Sequence, residues 1–184
     1  MSHTDFIRQQ YAPNISPKRR ADLRARFVQC DVDNSGYISA FELQSLLSTE
    51  ANQFPTSAAR MLVRIYSRQG QISFEEYVQI ESFVELCRTA FHGPNGENRR
   101  QLKRAEVSEA LLSLGLNFTP ETISLLFKHF DSTHTGILTL PQWHCFTSLC
   151  LLGRRLFNEW DVQSKGELII GLEQTLLIGI WFLE

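Results

Sequence analysis

The sequence carries little excess charge and has no long apolar run. Its formal net charge at pH 7 is −2 over 184 residues, so neither a general affinity for nucleic acid nor an acidic tail is indicated. The longest uncharged apolar run is LLIGIWFL at Leu176–Leu183, whereas a transmembrane helix needs about 20 residues. The N-terminus lacks a basic patch followed by an apolar run, and Met1 is not followed by glycine, so no secretory signal or myristoylation site is predicted. We therefore expect a cytoplasmic protein whose membrane contact, if any, is peripheral.

Motifs of catalysis and of zinc binding are also missing. No nucleophile, base and orienting acid occur together, so no enzyme is predicted. Histidines and cysteines gather late in the chain without the C-x-x-C or H-E-x-x-H spacing of zinc sites. The four cysteines occur among apolar residues of helical patterns, where thiols are usually small core side chains, and disulfides are not expected. The gathered residues are His129, His134, His144, Cys145 and Cys150, and the remaining cysteines are Cys30 and Cys87.

Apolar and aromatic residues, by contrast, are abundant and helically spaced. The chain is 43% apolar and contains 13 phenylalanines, which is typical of a globular chain with packed helices. Short glycine-containing loops recur every 30 to 36 residues, and each ends in an aliphatic residue just before a helix. A period in this range indicates repeated helix-loop-helix units. The aliphatic residues are Ile38, Ile72, Leu102, Leu138 and Leu168.

Five such units account for nearly the whole chain, and neighbouring units share two long helices. The apolar pattern continues without a breaker from Ser73 to about Phe91 and from about Thr139 to Trp160. We therefore expect an all-α fold of five EF-hand-like units with short paired loop strands. The predicted organisation is an N-terminal extension at 1–16 and one domain at 17–184, with units at 17–50, 56–85, 74–115, 119–150 and 140–184.

The first loop, Asp31–Glu42, reads DVDNSGYISAFE and matches a twelve-residue calcium loop at every ligand position. Gly36 permits the sharp turn at position 6. An alternative is an acidic turn with a capping box, because Ser39 and Glu42 also have S-x-x-E spacing. A capping box needs neither the upstream aspartates nor the glycine, so the sequence favours a calcium site. The predicted ligands are Asp31, Asp33, Ser35, the Tyr37 carbonyl and Glu42, with Ser39 acting through water.

The second and third loops depart from this pattern. Loop two, Ser67–Glu76, is two residues too short and lacks the first acidic ligands, so Ser73 and Glu76 indicate only a helix cap. Loop three, His92–Glu106, is about three residues too long and has Arg99–Arg100 at ligand and turn positions. Positive charge at these positions repels a divalent cation. Neither loop is predicted to bind calcium.

The fourth and fifth loops have the correct length but incomplete ligands. Loop four, Asp131–Gln142, has one carboxylate and closes on a neutral amide, so weak calcium binding is left open there. Loop five, Asp161–Leu172, places Lys165 at a ligand position and leucine at the closing position, and is expected to bind nothing. The candidate weak ligands of loop four are Asp131, Thr133, Thr135, the Ile137 carbonyl and Gln142.

Five units with shared helices and one complete loop resemble the penta-EF-hand family. The resemblance covers about Ser16–Glu184. It implies Ca²⁺ as the cofactor and calcium-dependent recruitment of protein partners through an apolar groove, or of membranes. Two features depart from the family: the N-terminal extension is short, and the third loop, commonly calcium-competent in the family, is not so here.

Two other interpretations of the chain remain. It is alternatively a constitutive assembly subunit, with its loops as folded joints and calcium contributing mainly stability. The basic stretch Lys18–Arg26 is a candidate dock for nucleic acid or an anionic membrane. Leu23 and Phe27 give this stretch a buried side, however, so we interpret it as the solvated face of an amphipathic helix and expect no nucleic-acid partner.

The odd number of units predicts dimerisation through the fifth. Units one and two pair their loop strands, as do units three and four, which leaves the strand around Leu168 unpaired. The following helix is apolar around its circumference, and a second chain about a twofold axis would cover it. A homodimer and a heterodimer with a related EF-hand chain both fit, and so do packing of the helix into its own core or a membrane-contacting tail. The predicted interface residues are Leu168, Leu172, Leu176, Ile180 and Trp181.

Overall fold

The computed structural model describes residues 15–183 except 51, 68, 94–98, 162, 164 and 169, and it gives only the backbone of residues 174 and 180–183. In these residues the chain forms eight α-helices and two pairs of short strands. The helices are α1 (Pro17–Cys30), α2 (Ala40–Leu47), α3 (Thr56–Tyr66), α4 (Phe74–His92), α5 (Arg104–Ser113), α6 (Pro120–Phe130), α7 (Leu140–Trp160) and α8 (Leu172–Leu183). The strands are β1 (Tyr37–Ile38), β2 (Ile72–Ser73), β3 (Leu102–Lys103) and β4 (Ile137–Leu138).

Local side-chain caps explain where most helices begin. Five helices follow a serine or threonine whose hydroxyl accepts a hydrogen bond from an amide of the first turn, and such an amide has no partner inside its own helix. Three of the five also carry the reciprocal bond of a capping box. The capping residues are Ser16, Ser39, Ser73, Thr119 and Thr139.

The loop strands pair as the repeat predicts. Strand β1 pairs antiparallel with β2, with Ile38 opposite Ile72, and β3 pairs with β4, with Leu102 opposite Leu138. All four aliphatic side chains are fully buried, so each loop pair also extends the core. Leu168 forms no strand among the described residues of the fifth loop. The all-α fold with paired loop strands is therefore confirmed.

Two long helices contact each other in the core, and each is unbroken, as its apolar pattern predicted. Helix α4 is shared by units two and three, and helix α7 by units four and five. The indole Nε1–H of Trp143 on α7 donates to the carbonyl of Cys87 on α4, with 2.9 Å between the atoms, and both residues are fully buried. This hydrogen bond links the two long helices in the core. All four cysteines are free thiols.

The last helix, α8, carries exposed apolar side chains. Leu172 is 76% exposed and Leu176 is 59% exposed, so this part of the helix does not pack into the core of its own chain. The side chains of Ile180 and Trp181, also predicted at a dimer interface, lie outside the described residues. No helix in the described part of the chain is long and apolar enough to cross a membrane.

Candidate calcium site

Asp31 organises the first loop by accepting two backbone hydrogen bonds. Its Oδ1 accepts from the amide of Ser35 and its Oδ2 from the amide of Gly36, each across 2.9 Å. Gly36 has a φ of +80°, a conformation that a residue with a Cβ rarely adopts. Two backbone amides of the loop itself thus orient this carboxylate.

The other predicted ligands converge on Ser35. Its hydroxyl lies 3.2 Å from Asp31 Oδ1 and donates to the Tyr37 carbonyl across 2.9 Å, while its amide lies 3.0 Å from Asp33 Oδ1. Hydrogen bonding to the Ser35 side chain and amide lowers the pKa of the Asp33 carboxyl. Two carboxylates, a hydroxyl and a carbonyl gathered within one turn form the hard oxygen set that Ca²⁺ prefers. The loop therefore fits the ion.

Glu42 forms the capping box that the sequence offered as an alternative. Its Oε2 accepts from the amide and the hydroxyl of Ser39, each across 2.8 Å. Among the described residues no three His, Cys, Asp or Glu side chains form a metal-holding group, so Glu42 is not gathered with Asp31 and Asp33 in this arrangement. The structure thus brings together four of the five predicted ligands and places the fifth at the start of α2.

The turn of loop one recurs in loops four and five. In loop four, Asp131 accepts from the amides of Thr135 and Gly136 across 3.0 and 2.8 Å. Burial of Asp131 acts to raise its pKa, but these hydrogen bonds outweigh that effect and the pKa is lowered. In loop five, Asp161 accepts from the amides of residues 165 and 166. The repeat predicted from spacing is therefore also a repeat of backbone geometry.

Loop two is a helix cap, as predicted. Glu76 Oε2 accepts from the amide and the hydroxyl of Ser73, each across 2.8 Å.

In loop four, the hydroxyls of Thr133 and Thr135, two of the candidate weak ligands, lie 3.4 Å apart. Weak calcium binding by loop four stays a prediction.

The basic stretch on α1 pairs with α4 rather than only facing solvent. Arg19 and Arg26 both bond to Oε1 of the buried Glu81, across 3.3 and 3.2 Å. Arg20 forms an ion pair with Glu75. Arg24 lies over the ring of Phe74, 4.2 Å from its centroid. These arginines are 40–48% exposed, which agrees with the expected solvated face, and they also attach the first unit to the shared helix.

Two arginines hold the C-terminal end of α2, and the sequence alone did not reveal them. Arg26 donates to the carbonyl of Leu46, and Arg88 on α4 donates to that of Leu47 across 2.9 Å. These carbonyls lie at a helix end, where no amide of the same helix reaches them. The sequence contained one signal for Arg26: Glu81, an acidic residue between apolar positions of α4, needs a basic partner, and Arg26 is one of the two that it has.

An apolar groove lies away from the first loop. It has a volume of about 650 Å³ and lies between the α5–α6 connection, α6 and α7. Apolar side chains form much of its lining, including Leu116, Phe118, Leu126, Leu149 and Phe157.

Comparison with known proteins finds EF-hand and calcium-binding relatives. Residues 20–80 match the family model for an EF-hand domain pair. Sorcin from Schistosoma japonicum is 29% identical over 157 residues, covering 84% of this chain and 91% of its own length. Peflin from Mus musculus is 24% identical over 167 residues, covering 88% of this chain. The chain spans only 58% of peflin, and 53% of the probable calcium-binding protein CML49 of Arabidopsis thaliana.

A solved structure shows the same architecture. The homolog of programmed cell death 6 protein from Leishmania major Friedlin superposes with a TM-score of 0.58 at 25% identity, covering 86% of this chain and 92% of that one. A penta-EF hand domain-containing protein of Dictyostelium discoideum is 25% identical over 158 residues. The five units, the paired loops and these relatives together support a protein of the penta-EF-hand family.

Proposed function

We propose that this chain is a calcium-responsive adaptor that binds one Ca²⁺ in loop one and thereby controls a surface for protein partners. The observation that carries the proposal is the convergence of Asp31, Asp33 and the Tyr37 carbonyl on Ser35. Relatives named calcium-binding proteins in Arabidopsis thaliana and Oryza sativa support the choice of ion.

The path from loop one to a surface runs through Glu42. This residue lies in the first turn of α2 and bonds to the cap Ser39. A bound cation attracts its carboxylate toward Asp31 and Asp33, and α2 must follow because Glu42 is part of it. The opposite side of α2 buries Leu43 and Leu47, while Phe41 is already 69% exposed. Reorientation of α2 would enlarge this apolar surface.

A second part of the proposal is dimerisation through the fifth unit. The exposed Leu172 and Leu176 on α8 support it, together with a fifth loop that has no paired strand among its described residues. Peflin and sorcin relatives make a homodimer or a heterodimer with a related chain the natural candidates. The partner-binding adaptor would then be a pair of chains.

Calorimetry tests the calcium site. We expect about one site per chain, with a dissociation constant on the order of 10⁻⁷ to 10⁻⁵ M and toward the weaker end, because the loop has three carboxylates without a fourth acid. Glu42→Gln removes one charge and the bidentate ligand, so it should weaken binding at least tenfold. Glu76→Gln is the matched control, because Glu76 makes the same cap in a loop without the other ligands. Two tight sites, or an unaffected Glu42→Gln protein, would contradict the proposal.

A constitutive structural subunit is the second candidate, and one observation favours it. Arg26 and Arg88 hold the end of α2 at Leu46 and Leu47, and these bonds resist its reorientation. A dye that fluoresces on apolar surfaces separates the two candidates. An adaptor raises the fluorescence when calcium is added, whereas a structural subunit gains thermal stability without a fluorescence change.

A further inference from the structure

Loop four is an internal comparison for loop one, because the two share their backbone turn and differ in the closing residue. Gln142 occupies the place of Glu42. Its Oε1 accepts from the amide and the hydroxyl of Thr139 across 2.8 and 2.9 Å, as Glu42 Oε2 does from Ser39. The cap is therefore the same in both loops.

The amide of Gln142 also donates a hydrogen bond, which a carboxylate cannot do. Its Nε2–H donates to the carbonyl of Phe130 across 2.9 Å. Phe130 is the last residue of α6, and Gln142 lies in the first turn of α7. One neutral side chain thus links the end of the entry helix to the start of the exit helix, and these are the two elements that a bound ion links in a competent loop.

Loop three contains a related substitution. The Arg99 guanidinium lies 3.7 Å from the closing carboxylate of Glu106, and the Arg99 side chain is mostly buried. The backbone of Arg99 is tied to His92, with 2.8 Å between the Arg99 carbonyl and the imidazole Nδ1. The positive charge that faces the closing acid here belongs to the protein itself.

We propose that Arg99 and Gln142 hold units three and four in a fixed arrangement in place of calcium. The two loops are joined by the pairing of Leu102 with Leu138, so a link in one loop supports the other. It follows that neither loop needs an ion to keep its helices in place. This proposal depends only on contacts in loops three and four, and it holds whether or not loop one binds calcium.

Hydrogen exchange on the unmodified protein tests the proposal first. We expect the amides of Thr135, Gly136 and Leu138 to be protected in EDTA and to change less than twofold when calcium is added. Protection that rises more than tenfold with calcium would overturn the proposal. This measurement requires no variant, so it does not depend on the folding of an altered chain.

Gln142→Glu then tests the donor itself. The substitution keeps the size and the cap but replaces the Nε2–H with an oxygen that faces the Phe130 carbonyl. We expect the Tm in EDTA to fall by roughly 3–6 °C, since an acceptor is left unpaired. Gln71→Glu is the control for charge, because Gln71 is exposed and lies in loop two. An unchanged Tm for Gln142→Glu in EDTA would overturn the role of the amide.

Calcium distinguishes a loss of the donor from general damage. In a Glu42→Gln background, where loop one cannot contribute, added calcium should restore most of the lost Tm to Gln142→Glu because the ion replaces the missing link. A destabilised variant whose Tm does not respond to about 10 mM calcium would argue against the proposal, because even the weakest extracellular calcium modules have dissociation constants of only about 10⁻³ M. Failure of calcium binding at loop one appears separately, in the calorimetry of the unmodified chain.

Discussion

Glu81 on α4 accepts a hydrogen bond from Arg26 on α1, with 3.2 Å between Oε1 and Nη1. Glu81 is only 4% exposed, and its second oxygen has no hydrogen-bond partner among the described residues. A buried carboxylate is unfavourable unless cations offset its desolvation. The pairing with Arg26 and Arg19 therefore makes the attachment of the first unit depend on charge as well as on apolar packing.

Glu81→Gln should destabilise the fold by about 1–3 kcal/mol, because two arginines lose their shared anion while remaining half exposed to water. The free energy of unfolding in urea measures the change. Glu75→Gln, which breaks the exposed pair with Arg20, should cost less than about 1 kcal/mol. Equal effects of the two substitutions would contradict the importance of the buried pair.

Acid should destabilise the protein through His144. Burial, and then the charge of Arg88, lower its pKa to about 3, and Glu85 and His92 line the same cavity. The unfolded chain protonates this residue near pH 6.5, so its contribution is fully present above that pH and is lost as the pH falls toward 3. At pH 5 the loss is about 2 kcal/mol.

The matched variant is His144→Phe, since the ring of Phe54 already lies 4.8 Å from that of His144. Between pH 7.5 and pH 5, in EDTA, this variant should lose about 2 kcal/mol less unfolding free energy than the unmodified chain. Parallel pH profiles would show that other groups control the acid sensitivity.

Gly36→Ala should destabilise the first loop even without calcium. The residue has a φ of +80° although nothing lies within 4 Å of its missing Cβ, so backbone strain of about 1–2 kcal/mol is the expected cause. Gly153→Ala is the contrast, because Gly153 lies inside α7 with equally open space, and should gain about 0.5–1 kcal/mol from helix propensity. Thermal unfolding compares the two.

Leu176→Glu should disrupt the proposed dimer. Sedimentation at micromolar concentration should show dimers of the unmodified chain and monomers of the variant, because a charge would be buried at the interface. Leu125→Glu is the control, since Leu125 is 72% exposed on α6, outside the predicted interface. A monomeric unmodified chain would exclude the dimer.

The sequence predicted what is encoded locally. The Asp31 turn and the unbroken long helices depend on residues within about one loop or on one apolar period. The Ser39–Glu42 cap is equally local, but the sequence offered it only as an alternative to a calcium ligand. Loop four shows the limit of this approach, because counting ligands treats Gln142 only as a missing acid. Its donor to Phe130 becomes visible once the end of α6 is in place.

The sequence pattern could not predict contacts between segments that are far apart in the chain. Arg26 and Glu81 are separated by 55 positions, and no periodicity connects a basic residue on one helix with an acidic residue on another. The basic stretch was therefore assigned to solvent, and the pairing of its half-exposed arginines with α4 was not predicted.

Helix α4 is attached to a loop at each of its ends. Its first turn is anchored at Ser73, which pairs with Tyr37 of loop one, and its last residue, His92, is tied to Arg99. At 1.5 Å per residue its 19 residues span about 28 Å, so a tilt of about 5° at one end displaces the other by roughly 2–3 Å. Loop three holds the His92 end, so α4 is supported mainly at that end. We therefore expect motion at loop one to displace mainly the Ser73 end and to change the far half of the molecule little.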